Sequence, residues 1–184
     1  MKYRLSPPGA IWCWWGEANG PVRCFIMTDL ATNHDDYLLE TKNNSIIADT
    51  SALVSLIIPS DVNHAEAVKE ATRLVSTDRL IILPSEVLAE TINILGKKFG
   101  HEVAIQSGRK FLDFEDQFAV TLTDADELRF ALHLLEKEKQ SVSFTDCVVM
   151  AVAHQYNTKN IFGFDEQFED AGYKRLRPTQ QKVA

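Results

Sequence analysis

Ser45-Ile-Ile-Ala-Asp-Thr-Ser-Ala-Leu53 decides how the chain is read: a short aliphatic run is stopped by an acid and then by two hydroxyl residues. The run has the length and β-branched content of a buried strand, and Asp-Thr-Ser has the side chains that start a helix. In open α/β sheets, ligands bind in the crevice beyond the carboxyl ends of the strands, so an acid at this strand end stands where chemistry is done. Two readings of Asp49 are open at this point. It is a functional acid, or Asp49 or Thr50 caps the helix beginning near Ala52 by accepting from backbone N–H groups.

Outward from this stretch the same alternation repeats. After a strand at 46–49, residues 52–58 and 63–75 read as helices separated by Pro59-Ser60-Asp61. Residues 80–83 form a second strand, and Pro84-Ser85 opens a helix that Gly100 closes; 101–115 follows as another helix. Residues 118–122 are strand three. Thr123-Asp-Ala-Asp126 resembles a capping box, with Asp126 in place of the usual Glu or Gln, for a helix running to about 139. Residues 143–156 are the next helix, 160–164 the fourth strand and 173–176 a short edge strand. Strands alternating with helices predict an α/β fold of three layers, α/β/α, around a central parallel sheet of four to five strands.

Residues 1–44 do not share this rhythm. They hold all three tryptophans and three of the six prolines, and show no helical period. They are read as an N-terminal extension to a domain spanning 45–184. Within the extension, 11–15 and 22–27 flank a Gly-rich turn, and a hairpin there would set Cys13 opposite Cys24. An unstructured extension is the equal alternative.

At 184 residues, 45% hydrophobic and 24% charged, the chain suits one domain with a sizeable core. Its apolar stretches fall far short of the roughly 20 residues that cross a bilayer. The start, Met1 to Arg4 followed by Ser6-Pro-Pro-Gly9, lacks the apolar centre of a secretory signal. The expectation is a cytoplasmic protein with no membrane partner. Three cysteines, Cys13, Cys24 and Cys147, give an odd count without zinc-ligand spacing, against a disulfide framework or structural zinc. A net charge of −7 counts against a protein that grips nucleic acid by broad phosphate neutralisation. It does not count against an enzyme whose acids hold cations, because a divalent ion inverts the local charge and recruits phosphate.

Three more acids stand in telling places. Asp146 shares an apolar stripe with Val149, Met150 and Ala153, where an unpaired carboxylate costs several kcal/mol, of order, unless it is protonated, hydrogen-bonded or paired with a cation. Ser143-Phe-Thr-Asp146 also fits a capping box, so cap and ligand are both open. Glu90 lies on or beside the apolar stripe of its helix, with Glu86 one turn earlier, and a solvated face is the simpler reading for Glu86. Asp165 closes the fourth strand, with a helix cap as its plain alternative. Two acids at strand ends and two on inward helix faces converge on one crevice if the strands lie side by side. Such an oxygen-rich set suits a hard metal such as magnesium. The hydroxyls of Ser51, Ser143 and Thr145 are placed to orient carboxylates or bound waters.

From Ser45 to Arg177 the chain resembles a PIN-domain ribonuclease, most like the VapC-type toxins of toxin–antitoxin pairs. The motifs that carry the likeness are Ile47-Ala-Asp-Thr-Ser-Ala-Leu53, Glu86-Val-Leu-Ala-Glu-Thr-Ile-Asn-Ile-Leu95, Ser143-Phe-Thr-Asp-Cys147 and Gly163-Phe-Asp-Glu-Gln-Phe168, in that order. Matched position by position, the resemblance implies that Asp49, Glu90 and Asp146 are metal-binding acids and Asp165 the fourth; Glu86 matches none of them. Cys147 stands where the family usually has Ala, and the long extension departs from a family that begins near its first strand. The resemblance implies hydrolysis of RNA phosphodiester bonds with Mg2+ or Mn2+ as cofactor, an RNA substrate, a cognate antitoxin protein and a homodimer. His64, His101, His133 and His154 have no Ser or Cys at a catalytic spacing and read as surface or packing residues. Lys97-Lys98, Arg109-Lys110 and Lys174-Arg175 are candidate RNA contacts beside their ordinary reading as solvated faces.

Rival classes are separable on the same residues. A catalytically inactive PIN-like interaction module has no need of four acids. A phosphatase of the haloacid-dehalogenase type carries a second Asp where Ser51 stands. A receiver-like signalling domain requires an acid pair before its phosphorylated Asp and a lysine at a late strand end, and neither is evident.

Overall fold

A computed structural model of the protein describes residues 45–77, 79–114, 117–138 and 141–176. The hairpin expected at 11–15 and 22–27, with its Cys13 and Cys24, lies outside them, as does the rest of the extension.

Ile46, Ile47 and Ala48 form β1 (Ile46–Ala48), buried on both faces as the centre of a parallel sheet requires. With β2 (Ile81–Pro84), β3 (Phe118–Thr121), β4 (Asn160–Phe162) and β5 (Lys174–Arg175) it makes a five-stranded sheet of order β3-β2-β1-β4-β5, parallel throughout. Ile47 lies opposite Ile82 on one side and Ile161 on the other, and Ala48 opposite Phe162. The chain builds outward from β1 to β3 on one side, then returns to β4 on the other. The boundary between β1 and β4 is therefore the topological switch point, where a crevice opens at the carboxyl ends of the strands.

Helices α1 (Thr50–Ile57) and α2 (His64–Ser76) connect β1 to β2, and α3 (Ser85–Phe99) and α4 (His101–Asp113) connect β2 to β3. Helices α5 (Ala125–Lys137) and α6 (Phe144–Gln155) carry the chain back to β4, and the single turn α7 (Gln167–Asp170) leads to β5. Parallel crossovers are right-handed, so the reversal after β3 puts α5 to α7 on the face opposite α1 to α4. This is the three-layer arrangement expected from the strand–helix alternation. Gly100, at φ +103°, breaks α3 from α4 in a backbone conformation that glycine adopts without strain. Helix α6 is buried continuously from Asp146 to Ala153, against α5, α3 and β1. Each of its fully buried valines contributes roughly 1.5–3 kcal/mol relative to an exposed one.

Two local expectations are corrected. Helix α5 is capped by Asp124, which accepts from the backbone of Asp126 and Glu127, while the Glu127 carboxylate returns to the Asp124 N–H at 2.8 Å. The box is Asp124 with Glu127, not Thr123 with Asp126: the Thr123 hydroxyl donates to Glu86 instead, and the longer Glu reaches the cap N–H. Strand β4 stops at Phe162 rather than 164, because the Phe164 N–H leaves the ladder to donate to Ser51 Oγ.

Candidate active site

Asp49 is the residue where β1 becomes α1. Its N–H donates to the Phe162 carbonyl at 2.9 Å, extending the β1–β4 ladder by one rung. Its Oδ2 accepts from the Ser51 N–H at 3.0 Å and the Ser51 hydroxyl at 2.5 Å, which caps α1. Ser51 Oγ in turn accepts from the Phe164 N–H at 2.9 Å. A relay from Phe164 through Ser51 to Asp49 thus ties the two central strand ends together. The helix-cap reading of Asp49 holds, and it coexists with a place in the crevice.

Asp146 behaves alike. Ser143 Oγ accepts from the Asp146 N–H at 3.1 Å, and Asp146 Oδ2 accepts from the Ser143 N–H at 2.7 Å, closing the expected capping box on α6. The residue is 8% exposed. Asp165 follows β4 and is exposed as a whole, with its carboxyl turned toward the other two acids. One carboxylate oxygen from each of Asp49, Asp146 and Asp165 lies within 4.8 Å of the others, forming the sole such group of acids, histidines or cysteines among the described residues.

Glu90 stands beside this group rather than in it. Its Oε2 accepts from the Thr50 hydroxyl at 2.7 Å, so the residue next to Asp49 tethers the fourth acid. Glu86 is not on a solvated face: half-buried, it accepts from Ser85 at 3.0 Å and from Thr123, tying the start of α3 to the end of β3. Thr145 is half-buried in the first turn of α6, and no hydrogen bond joins it to the acids among the described residues.

Two residues here escape sequence reasoning. Thr50 reads in the sequence as a cap alone, because its bond to Glu90 spans 40 positions. Gly163 reads as an ordinary strand-end glycine. A Cβ built on it would lie 2.8 Å from Asp49 Cβ and 3.2 Å from Asp49 Oδ2, so only glycine lets the two strand ends approach this closely. A glycine just before a strand-end acid, in Phe-Gly-Phe-Asp, was the available signal.

Crowding of acids shows in their proton affinities. Burial pushes the Asp49 carboxyl up to about 7; the Ser51 hydrogen bonds oppose the rise, and Asp165 and Asp146 add to it. Partial burial also raises Asp165, with Asp146 adding, while hydrogen bonds with Asp49 and Ser51 and the positive charge of Arg175 oppose. Such a cluster needs a proton or a cation to be stable at neutral pH. An all-carboxylate donor set of this size fits a hard divalent ion, which prefers oxygen ligands.

Other chemistry is not assembled nearby. His64 Nδ1 is 2.7 Å from the Ser55 carbonyl, His154 packs on Phe130, His133 is 3.5 Å from Glu136, and His101 is exposed. Burial, reinforced by Asp146 and Glu138, pushes the Cys147 thiol up to about 11, away from nucleophilic use. A cavity of about 470 Å³ between α3 and α4 is bordered by Lys97, His101 and Arg109 and contains none of the acids. Arg175 is not a surface cation: its side chain is 5% exposed and donates to the Phe164 carbonyl and to Glu169. Among the described residues no helix is long and apolar enough to cross a membrane.

Three acids gather at the switch point of a doubly wound parallel sheet, and the chain belongs to the PIN-domain family, which residues 46–173 match. VapC20 of Mycobacterium tuberculosis, a 23S rRNA-specific endonuclease, is 27% identical over 134 residues, covering 72% of this chain and 98% of VapC20. The crystal structure of that protein, described as a sarcin-ricin loop cleaving toxin, matches with a TM-score of 0.64 over 72% of this chain and 99% of its own.

Proposed function

We propose that the chain is a Mg2+- or Mn2+-dependent endoribonuclease and the toxin of a toxin–antitoxin pair, with residues 45–184 as its catalytic unit. The observation that carries this is the approach of Asp49, Asp146 and Asp165 within 4.8 Å at the switch point of a PIN-domain sheet. These three carboxylates hold the ion, and Glu90 completes the acidic wall from the Thr50 side. A divalent ion held there would supply activation of water and stabilisation of charge on the phosphodiester. The chain's own residues prepare that site. Ser51 fixes the Asp49 carboxylate through two donors, Ser143 fixes Asp146 through the helix cap, and Gly163 makes room for Asp49 against β4.

The named activity of VapC20 supports a structured RNA as substrate, with the sarcin-ricin loop of 23S rRNA the first to try. Lys97 and Arg109, which border one groove, supply local positive charge for RNA on an otherwise acidic chain. The family also supports a cognate antitoxin, a homodimer and action in the cytoplasm. The test is cleavage of total RNA and of a 23S rRNA hairpin by wild type and Asp146→Asn, with Mg2+, Mn2+ or excess EDTA. Discrete metal-dependent cuts that the variant lacks are expected. No variant-sensitive cleavage under any metal would favour a catalytically inactive PIN-like interaction module.

A further inference from the structure

We propose that Arg175 is a positioning residue of the acid site, whose two-pronged grip on the Phe164 carbonyl and the Glu169 carboxylate sets where Asp165 stands relative to Asp49 and Asp146. The inference rests on reading the three acids as a metal site. Asp49 and Asp146 are buried and held by their own caps, whereas Asp165 is exposed as a residue, with its carboxyl hydrogen-bonded to Asp49 and Ser51. The direction in which its backbone enters the site is set by the peptide unit from Phe164. That residue is held at both polar ends: its N–H donates to Ser51 Oγ at 2.9 Å, and its carbonyl accepts from Arg175 Nη1. Arg175 Nη2 donates to Glu169 Oε2 at 2.8 Å, across the turn α7, so the guanidinium spans the loop that carries Asp165.

Backbone pairing of β5 aims this side chain. Arg175 lies opposite Ile161 of β4, and the Leu176 N–H donates to the Ile161 carbonyl at 2.9 Å. An ion pair whose carboxylate is half exposed, as Glu169 is, contributes only about 0–1 kcal/mol, and here the guanidinium Nε has no hydrogen-bond partner among the described residues. Stability alone is thus a poor account of an arginine at this position. A planar fork that reaches a carbonyl and a carboxylate at once is something lysine cannot supply.

Mn2+ binding to the full chain, measured calorimetrically for wild type, Arg175→Lys, Asp165→Asn and the double variant, tests this. Lysine keeps the charge and loses the fork, so Arg175→Lys weakens Mn2+ binding about tenfold, the cost typical of a residue that orients a ligand. The double variant binds no more weakly than Asp165→Asn alone, because Arg175 acts through Asp165. Equal affinity of wild type and Arg175→Lys overturns the proposal and leaves the metal site standing. A further loss in the double variant also overturns it, since Arg175 would then act through the fold at large. Absence of Mn2+ binding by wild type removes the metal site and this role together. Should Arg175→Lys fail to fold, Glu169→Gln replaces it: binding about threefold weaker, the size of one weakened hydrogen bond to a charged group, supports the role. Unchanged binding by Glu169→Gln overturns it.

Discussion

Asp146 serves two ends with one carboxyl group. It closes the α6 capping box through Ser143, and it contributes an oxygen to the group it forms with Asp49 and Asp165. The amide oxygen of Asn can accept from the Ser143 N–H as the carboxylate does, so Asp146→Asn removes the charge and keeps the capping box. We predict that RNA cleavage falls more than about a hundredfold, beyond the cost of losing an orienting neighbour. In EDTA the melting temperature of this variant is equal to or above that of wild type, because a like charge has gone. Asp146→Ala also loses the bond to the Ser143 N–H and is less stable by about 1 kcal/mol in urea melts. An Asn variant that melts like the Ala variant would make the cap the residue's main role. Gly163 yields a second prediction: Gly163→Ala drives a methyl group to 2.8 Å from Asp49 Cβ, and overpacking of this kind costs about 1–3 kcal/mol. Urea denaturation in EDTA measures that cost, and Mn2+ titration shows whether Asp49 has been displaced. At this scale the acids themselves were legible in the sequence, since each ends a strand or interrupts an apolar stripe. Gly163, Thr50 and the burial of Arg175 were not, because each owes its role to a neighbour distant in the chain.

The junction of β1 with α1 is pinned to the segment after β4 by one hydroxyl. Ser51 accepts from the Phe164 N–H and donates to Asp49 Oδ2. Removing it strands a backbone donor, so Ser51→Ala costs about 1–3 kcal/mol by thermal or urea unfolding. It also withdraws hydrogen bonding that opposes the rise of the Asp49 carboxyl, so that carboxyl rises further. The pH midpoint of Mn2+ binding therefore moves upward in Ser51→Ala, and binding suffers more at pH 6 than at pH 8. An unmoved midpoint would show that the hydroxyl does not tune the acid. Most element boundaries could be read from the sequence because helix caps are local: Gly100 closes α3, and Ser143 with Asp146 opens α6. Where a boundary depended on a distant partner, reading failed by a residue or two. The α5 cap moved to Asp124 because Thr123 is engaged by Glu86, 37 positions away, and β4 ended early because Ser51 takes the Phe164 N–H.

Taken as a whole, the molecule carries a net charge of −7, and its acid group concentrates part of that excess at the carboxyl ends of the central strands β1 and β4. Asp49 titrates at about 7 in the folded protein against an ordinary value of 3.8. For an acid raised in this way, the stabilising contribution is fully present below 3.8 and is lost as pH rises from there through about 7, because the unfolded chain ionises first. In EDTA, then, wild type should lose melting temperature relative to Asp49→Asn between pH 4 and pH 8. A divalent cation binds the ionised form and opposes that loss, since ligands must be deprotonated to bind. The gain in melting temperature on adding Mg2+ or Mn2+ should therefore be small near pH 5 and grow toward pH 8, and it should be largely absent in Asp49→Asn. Fluorimetric melts across that range, with each metal and with EDTA, measure both trends. A metal gain of equal size at pH 5 and pH 8 would mean that the ion binds elsewhere, on acids already charged, and that the carboxylates at the β1–β4 boundary are held by protons instead.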